Sequence, residues 1–291
     1  WRFWQPILQL SNLYNTFINA VAYLERIFEM IDEPVTIDDA PDAYELPPIT
    51  GAVQFDHVTF SYDGSVNVLE NLNLDIQAGE SIALVGPTGA GKTTIVNLIS
   101  RFYNVNEGAV KLDGHDISKV TLHSLRSQMG IMLQDSFIFS GTILDNIRYG
   151  RLDATEEEII AAAKTVRAHD FIMEMEDGYH TQVNERGSRL SQGQKQLIAF
   201  ARTLLSDPRI LVLDEATSSI DAKTERLLQE GLQALLKGRT SFIIAHRLST
   251  IKNCDRIMYV RDKGISESGS HAELIEKHGD YYHLYTAQVE S

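Results

Sequence analysis

Nine consecutive residues, Gly86-Pro87-Thr88-Gly89-Ala90-Gly91-Lys92-Thr93-Thr94, have the types and spacing to hold a phosphate group. Glycine reaches backbone conformations closed to other residues, so a loop rich in it can turn its N–H groups inward on an anion. The apolar run Ile82-Ala83-Leu84-Val85 ahead of the loop reads as a buried strand, and Ile95, Val96, Leu98 and Ile99 behind it fall at helical spacing. The helix N-terminus brings a partial positive charge to the loop, and Lys92 adds a full one. Thr93 supplies a hydroxyl suited to ligate Mg²⁺.

Three further apolar runs also end on a polar side chain. Ile131-Met132-Leu133 ends on Gln134, Ile210-Leu211-Val212-Leu213 on Asp214-Glu215, and Phe242-Ile243-Ile244-Ala245 on His246. Short continuous apolar runs alternating with helical segments indicate a parallel sheet buried on both faces, and ligands of such sheets bind beyond the carboxyl ends of the strands. Asp214 suits a Mg²⁺ carboxylate, bound directly or through water. Glu215 can act as general base on a water attacking a γ-phosphate, or serve as the acid of a helix first turn. Gln134 can orient water or ligate Mg²⁺, and His246 can donate to the γ-phosphate. Leu190-Ser191-Gln192-Gly193-Gln194 precedes a strong helix, so Ser191 and Gly193 form either a second anion site or a plain N-cap. Tyr62, in the turn Phe60-Ser61-Tyr62-Asp63-Gly64, presents an aromatic ring upstream of the glycine loop.

The elements that must position these groups follow from patterning. Val53-Gln54-Phe55-Asp56-His57-Val58 and Leu72-Asn73-Leu74-Asp75-Ile76 alternate as half-buried strands. The 291 residues, 43% hydrophobic, suffice for an α/β domain with an ample core. A net charge of −14 argues against a nucleic-acid partner, which needs clustered Lys and Arg. The lone Cys254 rules out an internal disulfide and fits a reducing compartment, and the nine His show no metal-ligand pairing. A start at Trp1 rather than Met suggests a fragment or a processed product.

Residues 1–33 read differently. Phe3, Ile7, Leu10, Tyr14, Phe17, Val21, Leu24, Phe28 and Ile31 recur at alternating steps of four and three, a continuous helical seam. Gln5, Gln9, Asn12, Thr16 and Asn19 form a second row, polar but uncharged, and up to Leu24 the only charged side chain is Arg2. Such a helix reaches about 46 Å, more than the ~30 Å hydrocarbon core of a bilayer, although no run of ~20 apolar residues is present. It reads either as a soluble amphipathic helix or as the cytoplasmic end of a transmembrane helix whose amide row faces a polar pathway. It should stop at Asp32-Glu33-Pro34, and residues 34–50, rich in Pro and Asp, read as a linker.

In this order and spacing the motifs resemble those of the ATP-binding cassette (ABC) family over residues 51–291. Residues 86–93 look like its Walker A loop, residues 210–215 its Walker B motif with the catalytic glutamate at Glu215, and Gln134 its Q-loop. Leu190-Ser191-Gln192-Gly193-Gln194 is similar to the LSGGQ motif, Ser218-Ser219-Ile220-Asp221 to the D-loop, His246 to the switch histidine and Tyr62 to the aromatic that stacks on adenine. Val183-Asn184-Glu185-Arg186-Gly187 resembles the exporter-type segment ahead of that motif.

The resemblance implies a P-loop NTPase fold of the ABC type: a mixed sheet core, an antiparallel β subdomain and an α-helical subdomain at about 136–206, preceded by a long N-terminal helix. It implies ATP bound with Mg²⁺ by Tyr62, Gly86, Pro87, Thr88, Gly89, Ala90, Gly91, Lys92, Thr93 and Thr94, with Thr93, Gln134 and Asp214 holding the metal. Glu215, His246, Gln134 and Lys92 would carry hydrolysis. Ser191, Gln192, Gly193, Gln194 and Asp221 would complete the site of a second such domain, paired head to tail. With residues 1–33 as the end of a last transmembrane helix, the expectation is the nucleotide-binding domain of a membrane exporter, on the cytoplasmic side of the cell membrane and joined to the transmembrane domain of the same polypeptide. A soluble ABC ATPase acting on chromosomes or ribosomes, or an importer subunit, is the competing reading. The short segment between Lys92 and Ser191 and the acidic balance weigh against the first, and the fused helix against the second. The family usually has Gly at the position of Gln192, and Asn184 and Ser219 replace a commoner Gly and Ala. A Gln near the γ-phosphate would weaken the site this chain completes.

Overall fold

The computed structural model describes residues 1–132, 137–184, 187, 189–214, 221–245 and 247–289. They divide into two compact units, Trp1–Asp38 and Asp39–Ser291. The first is dominated by helix α1 (Trp4–Ile31), which follows the unbroken 3.6-residue periodicity of its sequence. It ends where Pro34 forbids continuation, with the Asp32 N–H donating to Phe28 O at 2.7 Å. None of its residues is buried. No described helix is long and apolar enough to cross a membrane.

The second unit holds strands β1 (Val53–Phe60), β2 (Leu69–Ile76), β3 (Ser81–Val85), β4 (Glu107–Leu112), β5 (His115–Asp116), β6 (Met129–Met132), β7 (Gly141–Thr142), β8 (Gln182–Val183), β9 (Ile210–Asp214), β10 (Thr240–Ile244), β11 (Arg256–Arg261) and β12 (Gly264–Gly269). Its helices are α2 (Lys92–Ile99), α3 (Leu122–Arg126), α4 (Ile143–Arg148), α5 (Glu156–Thr165), α6 (His169–Met173), α7 (Gln192–Leu205), α8 (Ala222–Leu236), α9 (Leu248–Lys252), α10 (His271–Lys277) and α11 (Asp280–Val289). A six-stranded sheet runs β12-β11-β3-β10-β9-β6, parallel except for the β11–β12 pair. A four-stranded antiparallel sheet runs β2-β1-β4-β5.

The continuous apolar runs have a direct cause. Side chains alternate across the central sheet, and both faces are buried. Ala83, Val85, Leu211, Leu213, Ile243 and Ala245 face a core shared with α4 to α8. Their neighbours Ile82, Leu84, Ile210, Val212, Phe242 and Ile244 face a second core, shared with α2 and the antiparallel sheet. The two expected early strands are present and longer than their alternation suggested. Register shifts beyond Phe55, with His57 at φ 51°, break the period-2 pattern and carry β1 on to Phe60.

The stretch expected as linker, 34–50, is held against the second unit from Asp39 onward. Leu46 and Ile49 are buried, the Leu46 N–H donates to Ser124 Oγ at 2.9 Å, and the Ile49 N–H donates to Gln128 Oε1 at 2.9 Å. The Asp113 carboxylate accepts from the N–H groups of Thr50, Gly51 and Ala52 and from the Thr50 hydroxyl. Burial pushes that carboxyl up, but the donors from Thr50, Ala52 and Gly51 outweigh it and hold it below the ordinary aspartate value. Composition concealed this strap, because Pro and Asp dominate it and only two apolar residues anchor it.

Asp113→Ala leaves three backbone donors without their acceptor, and should lower the unfolding free energy in urea by about 1–3 kcal/mol at pH 7. A folded-state value below the unfolded one places this contribution above the ordinary value of 3.8 and removes it progressively as pH falls below that. The difference between the two proteins should therefore narrow in acid. A constant difference from pH 7 down to full protonation would show that the carboxylate charge is not what holds the strap.

Candidate functional site

The glycine loop leaves β3 at Val85 and enters α2 at Lys92. Gly86 has φ 137°, and a Cβ there would lie 2.4 Å from the Val260 carbonyl oxygen of β11. Gly91, at φ 108°, is the N-cap of α2 and is packed on Leu69 and Val68. The helices α4, α5, α7 and α10 each close their first turn with a capping box, whereas α2 has no side-chain cap. Its leading N–H groups and the positive end of its dipole therefore face the loop. Lys92 Nζ folds back over the same loop and donates to the carbonyls of Gly86 at 2.8 Å and Pro87 at 2.9 Å. Partial burial lowers its pKa from the ordinary lysine value, opposed by the Asp214 carboxylate.

These groups open on a cleft of about 410 Å³ lined by Tyr62, Thr88, Lys92, Thr93, Thr94 and Asp214, with Val68 and Ile244 as apolar walls. Pro87, Thr88, Gly89 and Thr93 are exposed, Ala90 is half-buried, and Thr94 is buried at the start of α2. Asp214 is half-buried at the last position of β9. Among the described residues no group of His, Cys, Asp and Glu forms a metal nest. One carboxylate beside one hydroxyl fits an ion such as Mg²⁺, which completes its shell with phosphate oxygens and water.

The parallel register aligns the strand ends around this cleft. Ile244 pairs with Leu84 on one side and with Asp214 on the other, and Met132 pairs with Leu213. Gln134, Glu215 and His246 follow these strands within two residues in the sequence, and lie outside the described residues, as do Ser218, Ser219 and Ile220.

Ser191, Gln192, Gly193, Gln194 and Asp221 form a separate group, none of which lines that cleft. Ser191 is the N-cap of α7. Its Oγ accepts from the Gln194 N–H at 3.2 Å, and Gln194 Oε1 accepts from the Ser191 N–H at 2.9 Å. Asp221 caps α8, its Oδ1 accepting from the Thr224 N–H at 3.0 Å. A Cβ on Gly193 would lie 2.3 Å from Thr224 Cγ2, so the missing side chain lets the two helix starts approach side by side. Gln192 is half-buried in the first turn of α7.

A family model described as "ABC transporter" matches residues 69–218, more than half of the chain. The chain belongs to the ABC transporter family. It is 50% identical over 289 residues to the ABC transporter ATP-binding protein YfiC of Bacillus subtilis, covering 99% of this chain and 48% of that one. To the ATP-dependent lipid A-core flippase of Syntrophus aciditrophicus it is 46% identical over 98% of this chain and 47% of the flippase. The solved structure of a bacterial Atm1-family ABC exporter with ATP bound superposes with a TM-score of 0.84 at 41% identity, over 98% of this chain and 50% of that one. The chain thus spans about half the length of the relatives it matches. The antiparallel sheet, mixed central sheet and helices of the second unit are those of an ABC ATPase fold. Membership implies that the chain binds a nucleotide.

Sequence reasoning missed the walls Val68 and Ile244. Neither belongs to a polar motif, and only the pairing of β10 beside β3 and the turn before β2 bring them in. Gly86→Ala should destabilise the fold and abolish nucleotide binding, because strain at positive φ adds to a backbone clash. Gly89→Ala, at φ 80° with open space around it, should lower the melting temperature less. Equal melting shifts for the two would show that the approach to Val260 is not the constraint.

Proposed function

We propose that this chain binds and hydrolyses ATP with Mg²⁺ as the nucleotide-binding domain of a membrane exporter, working in a head-to-tail pair with a second such domain. One observation carries this reading: the glycine loop, Lys92 and Asp214 meet in one cleft at the aligned carboxyl ends of parallel strands. The exporter part rests on the relatives, named for lipid A-core, fatty acid and multidrug transport.

In this scheme the backbone of residues 86–91 and the N-terminus of α2 cradle the phosphates, with Lys92 neutralising charge on the outer ones. The Thr93 hydroxyl, Asp214 and the Gln134 amide would hold Mg²⁺, which would supply neutralising charge to the phosphates. Tyr62 stacks on adenine. Glu215 takes a proton from the water that attacks the γ-phosphorus, the bond to the β-phosphate oxygen breaks, and ADP and phosphate leave. His246 donates a hydrogen bond to the γ-phosphate. Ser191, Gln192, Gly193, Gln194 and Asp221 close over the ATP of the partner domain. Helix α1 is the cytoplasmic end of a last transmembrane helix, which puts the domain on the cytoplasmic side of the cell membrane.

Three substitutions test the scheme in the purified protein. Glu215→Gln should remove most ATPase activity while keeping ATP binding and accumulating the closed dimer in size-exclusion chromatography. Unchanged turnover would place the base elsewhere. Lys92→Ala should abolish ATP binding in calorimetry, and tight residual binding would count against the cradle. Gln192→Gly should raise ATP turnover at the site this chain completes, and identical rates would make Gln192 a neutral replacement.

A further inference from the structure

The base end of the cleft is built from the same helix as its phosphate end. Tyr62, half-exposed, lines the cleft, and its hydroxyl shares a hydrogen bond of 2.9 Å with Thr94 Oγ1 at the start of α2. The Tyr62 ring stands perpendicular to two others: Phe60 at 4.9 Å and 83°, and Tyr103 at 5.0 Å and 87°. Phe60 is buried at the end of β1, whereas Tyr103 lies in the chain leaving α2 and does not line the cleft. The same exit segment pins the backbone beside Tyr62. Asn106 Oδ1 accepts from the Ser61 N–H at 2.7 Å, and the Asn106 N–H donates to Thr59 O at 3.0 Å.

Plain hydrophobic packing explains this cluster poorly, since Tyr62 is 50% and Tyr103 41% exposed. What the perpendicular rings and the hydroxyl bond do is fix the plane of a side chain that would otherwise turn in solvent. The eight residues of α2 then span both ends of the site, with its N-terminus at the phosphate cradle and its exit segment under the aromatic ring. We propose that Tyr103, together with the Tyr62–Thr94 hydroxyl pair, is a positioning element for the nucleotide base, fixing the orientation of the Tyr62 ring beside the glycine loop. This rests on the proposed reading of Tyr62 as the base platform.

The test compares ATP with inorganic tripolyphosphate, which has the phosphates and no base, on the purified full protein. Tyr103→Leu should raise the KM and Kd for ATP roughly threefold to tenfold, the scale of an aromatic edge contact. Its kcat and its tripolyphosphate affinity should stay unchanged, and Tyr103→Phe should restore the KM. Tyr62→Phe, which keeps the ring and loses the hydroxyl, should weaken ATP in the same direction. A Tyr103→Leu protein that loses ATP and tripolyphosphate equally, or that loses kcat with KM unchanged, overturns the proposal in favour of a general structural role. Unchanged ATP affinity in both Tyr103→Leu and Tyr62→Phe also overturns it, while Tyr62→Ala then judges the platform itself. Lost ATP affinity there keeps the platform without the positioning element, and unchanged affinity removes both. Should Tyr103→Leu not fold, Tyr62→Phe decides: weakened ATP with intact tripolyphosphate binding supports the proposal, and intact ATP binding ends it.

Discussion

The parallel register of β6, β9, β10 and β3 is the constraint on which the rest of the second unit depends. Because Met132, Leu213, Ile243 and Ala83 are neighbours across the ladder, the chain leaves four strands at one level of the sheet. A slip of one residue in any of them would turn its apolar set to the wrong core, since the two faces are packed by alternate residues. Packing thereby holds the register, and the register gathers loops that are far apart in sequence. The glycine loop and Asp214 share a cleft for this reason.

Electrostatics at the cleft run against the molecule as a whole. With a net charge of −14, the chain repels anions at long range, so a phosphate must be attracted locally. In the proposed reading Lys92 and the uncapped start of α2, which lie together at the glycine loop, do this. The starts of α3, α4, α5, α7, α8 and α10 are instead tied up by their own side chains. Ser191 and Gln194 satisfy each other at α7, and Asp221 satisfies Thr224 at α8. A first turn so capped still offers a hydroxyl at its surface, and Gly193 lets the first turn of α7 approach Thr224 of α8 closely.

The strap of residues 39–50 connects chain segments that the motifs do not mention. Its bonds run to Asp113, Ser124 and Gln128, and Gln128 is followed at once by β6. Helix α1, by contrast, buries none of its residues.

Local patterns in the sequence were enough to determine the glycine loop between its strand and helix, the buried strands ending at Asp214 and Ile244, the stop of α1 before Pro34, and membership in the ABC family. Each is written in neighbouring residues: Gly for positive φ, unbroken apolar runs for strands covered on both faces, a 3.6-residue period for a helix. Only the tertiary structure decided the extension of β1 through its bulge, the anchoring of the strap by Leu46 and Ile49, the packing of Gly193 on Thr224, and the place of Tyr103 behind Tyr62. In these cases the partners are distant in sequence and ordinary in type. A lone Tyr after a helix, or a Gly in a first turn, gains its meaning from what another segment brings against it.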